Sequence, residues 1–263
     1  MELQDKVAIV TGGASGIGKA SARAMARLGA KVAVVDIDAA GAQAVAAQTD
    51  GLGVGCDVSR EADVNAMVRE VEQQLGPVDV LFNNAGIATG ADPLTTSPDV
   101  WQRQWEVNVM AHVYAVRAVL PAMLERRSGY LLHTASMAGI LTTHGNLTYA
   151  TTKHAVVGLA EWLSITYHDK GIRVSCLAPL GVRTPMLGDT DSPFVSGAAG
   201  PVKEPEEVAQ QVVEAMAEER FLILTDPIAQ TWMDRKHEDL ERWLSGMRRL
   251  QQKMETAGGA GGR

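Results

Sequence analysis

Cysteine is scarce in this chain, with only Cys56 and Cys176 among 263 residues. Two thiols cannot build the disulfide framework of a small secreted protein, and they read as buried, inert thiols in a reducing compartment. Excess positive charge is missing too. Lys and Arg number 24 against 31 Asp and Glu, a formal charge of −7, which argues against nucleic acid or an anionic membrane surface as the main partner. No stretch reads as the ~20 consecutive apolar residues of a membrane helix. The polar start Met1-Glu2-Leu3-Gln4-Asp5 lacks the apolar core of a signal peptide. His112, His133, His144, His154, His168 and His237 fall in no zinc-ligand spacing, so no metal is expected. These absences leave a soluble, cytoplasmic, globular chain. Its 46% hydrophobic and 21% charged content excludes disorder, and its length favours one domain whose core needs no disulfide or metal.

Short apolar runs recur at Val7 to Val10, Val32 to Val35, Leu52 to Cys56, Val78 to Phe82, Tyr130 to Leu132, Val174 to Leu177 and Phe221 to Leu224. Runs without polar alternation predict strands covered on both faces. Between most of them lie stretches of helical length, including Lys19 to Leu28, Ala62 to Leu75 and Trp101 to Leu124. Strand alternating with helix predicts an α/β fold, a doubly wound parallel sheet with helices on both faces. The Gly- and Pro-rich stretch from Pro185 to Pro205 predicts a long loop, and loops of that length in compact domains serve as lids or binding loops. Residues 1–225 read as the body of the domain. Residues 226–256 read as an extension with one helix, Trp232 to Met254, packed on the body or on a partner subunit. Residues 257–263 read as a disordered tail.

The first strand runs into Thr11-Gly12-Gly13-Ala14-Ser15-Gly16-Ile17-Gly18 and then an Ala-rich helix. Glycines at such a junction let the backbone approach a pyrophosphate, which the free N–H groups of the helix N-terminus can bind. Asp36 closes the second strand, where a carboxylate binds the adenosine ribose hydroxyls. The same carboxylate repels the 2′-phosphate of NADP, and Ser15 offers no compensating charge, so NAD is the expected cofactor.

Tyr149 and Lys153 stand four apart, on one face of a helix. Ser136 follows the fifth strand in a region where α/β sheets carry functional residues, Asn83-Asn84-Ala85-Gly86 follows the fourth, and Asn108 lies in an apolar helical stretch where its amide needs a partner. Together these ordered motifs resemble the main, ~250-residue class of the short-chain dehydrogenase/reductase family. The resemblance spans about Gln4 to Thr225 and rests on Thr-Gly-x-x-x-Gly-x-Gly at Thr11 to Gly18, Asp57-Val58, Asn83 to Gly86, Asn108, Ser136, Tyr149 and Lys153.

Hydride transfer to or from a carbonyl carbon needs a proton donor or acceptor beside the oxygen. A free tyrosine, with pKa about 10, is too weak a base near neutrality. A lysine ammonium ~5 Å away at an effective dielectric of ~20 contributes about 3 kcal/mol toward lowering it. The resemblance implies a Rossmann-type domain that binds NAD and moves a hydride between nicotinamide and a secondary alcohol or ketone. It makes Tyr149 the acid/base, with Lys153 lowering its pKa and binding the nicotinamide ribose. Ser136 then bonds the substrate oxygen, and Asn108 holds a relay water. It implies cofactor contacts from Gly12, Ser15, Gly16, Ile17, Gly18, Asp57, Val58, Asn84, Gly86, Val182 and Thr184, and a homotetramer or homodimer pairing the helices at 101–124 and 149–167. Leu180 departs from the family's Pro-Gly-x-x-x-Thr pattern and sets a side chain near the nicotinamide or the substrate. Met137, Ile140, Leu180, Met186 and Leu187, with His144 as a polar contact, are the expected pocket lining, which favours a hydrophobic substrate. The rival readings are an inactive dinucleotide sensor or scaffold, which would be expected to lose Tyr or Lys, and an extended-branch epimerase, which the length and glycine spacing disfavour.

Overall fold

A computed structural model describes residues 1–188 and 199–259 of the chain. Seven parallel strands form one sheet in the order β3-β2-β1-β4-β5-β6-β7. They are β1 (Val7–Thr11), β2 (Lys31–Asp36), β3 (Leu52–Gly55), β4 (Val80–Asn83), β5 (Gly129–Thr134), β6 (Ile172–Ala178) and β7 (Leu222–Leu224). Each matches one of the expected apolar runs. The missing polar alternation has the expected cause. Along β1, Ala8 and Val10 pack into the core on one side and Val7 and Ile9 into the core on the other.

Helices α1 (Gly16–Arg27), α2 (Ala39–Ala46) and α3 (Glu61–Gln74) follow the first three strands. The stretch expected as one helix begins earlier and is irregular: α4 (Pro98–Trp105) runs through a π turn, Glu106–Met110, into α5 (Ala111–Arg126). By length and composition alone Pro98–Arg126 could cross a membrane, contrary to the sequence reading, yet over half of its most apolar window is buried inside the fold. Its apolarity serves the core, where Ala115, Val116, Val119, Leu120 and Met123 pack under the sheet. Then come α6 (Ala138–Leu141), α7 (Leu147–Tyr167) and α8 (Pro205–Ala217).

The extension differs from expectation. It forms two helices, α9 (Pro227–Glu238) and α10 (Leu240–Gly259). The break falls at Asp239, which is extended at φ −150° and accepts from the Arg242 N–H at 2.9 Å, capping the second helix. Helix α10 continues to Gly259, past the expected start of the tail at 257. Residues 260–263 of that tail, and 189–198 of the expected lid, lie outside the described residues. The two ends of the loop expected to be a lid are stapled together. Lys203 donates to the Gly181 carbonyl and Arg183 to that of Lys203, each at 2.9 Å, around a parallel bridge between Val182 and Lys203.

Strand order reverses between β1 and β4. That switch point opens a crevice at the carboxyl ends of the strands, where open α/β sheets bind ligands.

Candidate active site

The carboxyl end of β1 is built around two hydroxyl and amide clamps. Thr11 Oγ1 accepts the backbone N–H groups of Asn84 at 2.9 Å and Ala85 at 3.1 Å. In return the Asn84 amide donates to the Thr11 carbonyl at 3.1 Å, while its oxygen accepts from Thr134 at 3.1 Å. The Asn84 side chain thus ties the end of β1 to the end of β5. Gly12 sits at φ +64°, and a side chain on Gly18 would collide with the Gly12 carbonyl. This is the close packing of helix start on strand end that the motif requires.

Helix α1 begins at Gly16 with no side-chain cap, since the Ser15 hydroxyl makes no bond to its first turn. Its leading N–H groups therefore lack an intrahelical partner or a cap, the arrangement suited to an anionic group. The Asp36 carboxylate turns back on the glycine turn, accepting from Ala14 N–H at 3.0 Å and Asp38 N–H at 3.1 Å. Thr184 lies against the turn from the other side, its methyl 2.8 Å from where a Cβ on Gly16 would stand. Val182 is buried in the core beneath it. The Asp57 carboxylate accepts from both N–H and hydroxyl of Ser59 and faces Arg103 at 3.6 Å. Burial pushes that carboxyl up, but the Ser59 bonds and the Arg103 charge outweigh it and hold it below its ordinary value. Val58 packs against the core. An uncapped helix start, a close glycine turn and an aligned carboxylate fit a dinucleotide.

The second half of the site gathers at the ends of β5 and α7. Lys153 is buried, donates from Nζ to the Thr134 carbonyl at 2.8 Å, and lies 5.6 Å from the Tyr149 ring centre. Burial lowers its pKa to about 8. Tyr149 does not show the lowering expected from the lysine. Burial raises its pKa, and a hydrogen bond with Ser136 offsets this only in part. Lys153 is drawn toward Thr134, and its own charge is penalised by the same burial. Ser136 also accepts from the Ala138 N–H at 3.1 Å, which fixes its hydroxyl.

The Asn108 amide has the partner its apolar setting demanded. It exchanges two bonds with the Ile87 backbone, each 2.9 Å, and reaches Thr152 at 3.1 Å. The π turn aims it there; such turns recur at functional sites. A Cβ on Gly86 would stand 3.3 Å from Asn108 Oδ1 and 3.4 Å from Lys153 Nζ, so all three residues converge.

Of the expected pocket lining, the structure brings together Met137, Ile140 and Leu180, but not Met186 and Leu187. Those two lie in a turn closed by Leu187 N–H on Thr184 O, with Met186 exposed. Trp232, Met233 and Trp243 of α9 and α10 pack on the cluster instead. The sequence reading gave these residues to packing and missed their location. Leu180, the departure from the family pattern, crowds Gly200 together with Trp232: a Cβ on that glycine would stand 3.1 Å from each. His144 meets the extension too, its Nδ1 2.6 Å from Gln251 Oε1. Cys56 and Cys176 are buried thiols whose pKa burial pushes up to about 12, as expected of inert thiols.

Residues 6–193 match the short chain dehydrogenase family. The chain is 37% identical over 253 residues to 1-deoxy-11-beta-hydroxypentalenate dehydrogenase of Streptomyces exfoliatus, covering 93% of this chain and 92% of that protein. Among solved structures it resembles a short chain dehydrogenase/reductase from Burkholderia phymatum in complex with NAD. The TM-score is 0.83 at 32% identity, covering 92% of this chain and 96% of the other. It also resembles 3-ketoacyl-(acyl-carrier-protein) reductase from Brucella melitensis complexed with NADH. There the TM-score is 0.78 at 32% identity, covering 84% and 96% of the two chains.

Proposed function

The chain belongs to the short-chain dehydrogenase/reductase family, and from that premise we propose that it is an NAD-dependent oxidoreductase of hydrophobic secondary alcohols and ketones. The observation that carries the reading is the convergence of Tyr149, Ser136 and Lys153 at one end of a crevice whose other end holds the uncapped start of α1 and the Asp36 carboxylate. An inactive scaffold has no need of that tetrad, with Asn108 completing it.

The glycine turn and the first N–H groups of α1 would hold the pyrophosphate, and Asp36 the adenosine ribose. When bound, the nicotinamide supplies or accepts the hydride. The chain's own residues do the rest. Ser136, its hydroxyl fixed by Ala138, orients the substrate oxygen beside the Tyr149 hydroxyl. Tyr149 gives its proton to that oxygen in reduction and takes it in oxidation. Burial keeps the proton on Tyr149 in the free chain, the form needed for reduction. Lys153 sets a positive charge beside the ring and Asn108 steadies the segment around Gly86. Asp36 favours NAD, because the NADP phosphate would meet a carboxylate with no basic residue at position 15. The apolar cluster of Met137, Ile140 and Leu180 supports a hydrophobic substrate.

The same reading includes a homo-oligomer, a tetramer by preference. Trp162 and Ile165 stand 57% and 83% exposed on α7, and Trp105 is exposed on α4. Two buried free thiols support a cytoplasmic setting. The test is a panel of secondary alcohols incubated with NAD and with NADP while reduced cofactor is followed by absorbance. NAD-dependent turnover that rises with substrate carbon count is the expected result, and preference for small polyols would overturn the hydrophobic assignment.

A further inference from the structure

We infer that α10 forms the outer wall of the substrate pocket, where His144 and Trp243 bind a second oxygen on the substrate, remote from the reacting carbon. The substrate is then an apolar hydroxy or keto compound with a further hydroxyl or carbonyl group. This deepens the oxidoreductase reading above and rests on it.

The extension folds back across the segment between Ser136 and Tyr149. Trp243 packs on the cluster that contains Met137, the neighbour of Ser136, and the Lys236 ammonium donates to the Ile140 carbonyl. Eight residues beyond Trp243, Gln251 reaches His144. Eight residues are just over two helical turns and about 12 Å, which sets Gln251 about 80° round from Trp243, within the width of one helix stripe. That stripe places Trp243 beside the Met137 cluster and Gln251 beside His144, the two ends of the wall proposed here.

The hydrogen-bond roles on this wall follow from one bond. Gln251 Nε2 donates to Glu255 at 2.7 Å, so its oxygen faces His144 and the imidazole Nδ1 is the donor. With the ring neutral, Nε2 is then a lone-pair acceptor. Trp243 Nε1 can only donate. Both atoms are buried without a partner among the described residues. An unpaired polar atom in an apolar wall is costly, and native structures give nearly all such atoms a partner. A hydroxyl can donate to His144, and a hydroxyl or carbonyl oxygen can accept from Trp243. None of residues 240–256 is fully buried, so α10 is a surface cover that can lift to admit the substrate. The strand of chain presenting His144 is itself held out of its relaxed form, with Thr142 at φ 70° and ψ −179°, a region that suits glycine.

Two substrate pairs test this with NAD as oxidant: decahydronaphthalen-2-ol against decahydronaphthalene-2,6-diol, and octan-2-ol against octane-2,7-diol. We expect the diols to be favoured about tenfold or more in kcat/KM, the size of one or two hydrogen bonds made in a dry site and beyond the statistical factor of ~2. Trp243→Phe keeps the ring packing and loses the N–H, and His144→Phe loses the acceptor. Each should cut the preference at least about threefold, while His144→Gln, which restores a polar end, retains most of it. Calorimetric NAD affinity within about twofold of the parent shows that each variant is folded. Equal use of mono-ol and diol by the parent, or a preference that survives both Phe variants, overturns the inference alone. No turnover of any of the four alcohols overturns the function beneath it.

Discussion

Lys153 reaches past the Tyr149 ring, its ammonium 5.6 Å from the ring centre, to donate to the Thr134 carbonyl at 2.8 Å. One buried bond thereby fixes the cation beside the phenol and ties helix α7 to the end of β5. Burial acts on the two groups in opposite senses: it loosens the proton on Lys153 and tightens the one on Tyr149. The free chain is therefore set as a proton donor, and the lysine's positive charge is at full strength only below about pH 8.

Removing the Tyr149 hydroxyl isolates the proton-transfer contribution. Tyr149→Phe keeps the ring and loses the bond with Ser136. Turnover should fall by about 10²–10⁴, the usual worth of general acid/base catalysis, with NAD affinity unchanged within a few-fold. Steady-state rates and calorimetric titration measure the two quantities, and substantial residual turnover would remove Tyr149 from the mechanism.

Lys153 costs the fold stability in exchange for its role. Its folded pKa of about 8 lies below the ordinary 10.5. Between those values the unfolded chain holds a proton the folded one has lost, so stability rises with pH through that window, and below it the full cost of burying the ammonium is present. Lys153→Met should therefore abolish activity yet stabilise the protein at pH 7 by about 2 kcal/mol, after allowance for the donor lost to Thr134. The gain should shrink as pH rises above about 8 and be gone before pH 10.5, where only the lost bond to Thr134 remains. Urea midpoints at pH 7 and pH 10 follow it; a variant less stable than the parent at pH 7 contradicts the argument.

The strands were legible because continuous apolar runs such as Val32 to Val35 have one physical meaning in a chain of this composition. The candidate catalytic residues could be picked out because their types and spacing suit the chemistry. What stayed hidden has contacts without a side-chain signature or across long separations. Lys153 bonds a backbone carbonyl, and Asn108 bonds the backbone of Ile87, 21 residues away, from a π turn that no periodicity announces. His144 finds Gln251 across 107 residues. The break at Asp239 was readable in principle, since an aspartate that caps Arg242 is a helix-start signal, but the apolar spacing on either side masked it.

Asp36 should decide the cofactor. Its carboxylate is aligned by the N–H groups of Ala14 and Asp38, so it cannot easily swing away from a 2′-phosphate. NAD should bind at least about tenfold more tightly than NADP, and Asp36→Ser should narrow the ratio by removing the like charge. Calorimetric titration of both dinucleotides reads this directly. Equal affinities in the parent protein would take Asp36 out of the ribose site.

Trp162 and Ile165 give the oligomer its test. Helix α7 buries Val156, Ala160 and Leu163 against the body, and the two exposed residues lie outside that stripe, where a second copy can cover them. Light scattering should give a mass several times 28.0 kDa. Ile165→Glu combined with Trp162→Glu should shift it toward that value; a parent protein already at 28.0 kDa ends the proposal.

His112 and His133 should make the fold acid-labile. Their rings stack 5.2 Å apart, and their Nδ1 atoms meet at 3.0 Å in the core, so one donates and the other accepts while both rings are neutral. Burial holds His133 at about 4 and, with the charge of Lys153 and the neighbouring ring adding to it, keeps His112 well below its ordinary value. As pH falls from 6.5 toward 4, the unfolded chain gains protons that the folded chain refuses, and stability drops through that window. Replacing both rings by leucine removes the two titrations together and leaves no half of the pair unpartnered, which a single substitution would do. Between pH 7.5 and pH 5 the double variant His112→Leu/His133→Leu should lose about 4 kcal/mol less stability than the parent. Urea unfolding at the two pH values measures the difference. Because the carboxylates are common to both proteins, their contribution cancels in that comparison, and an equal loss in parent and variant would mean that the buried pair does not set the acid limit of the fold.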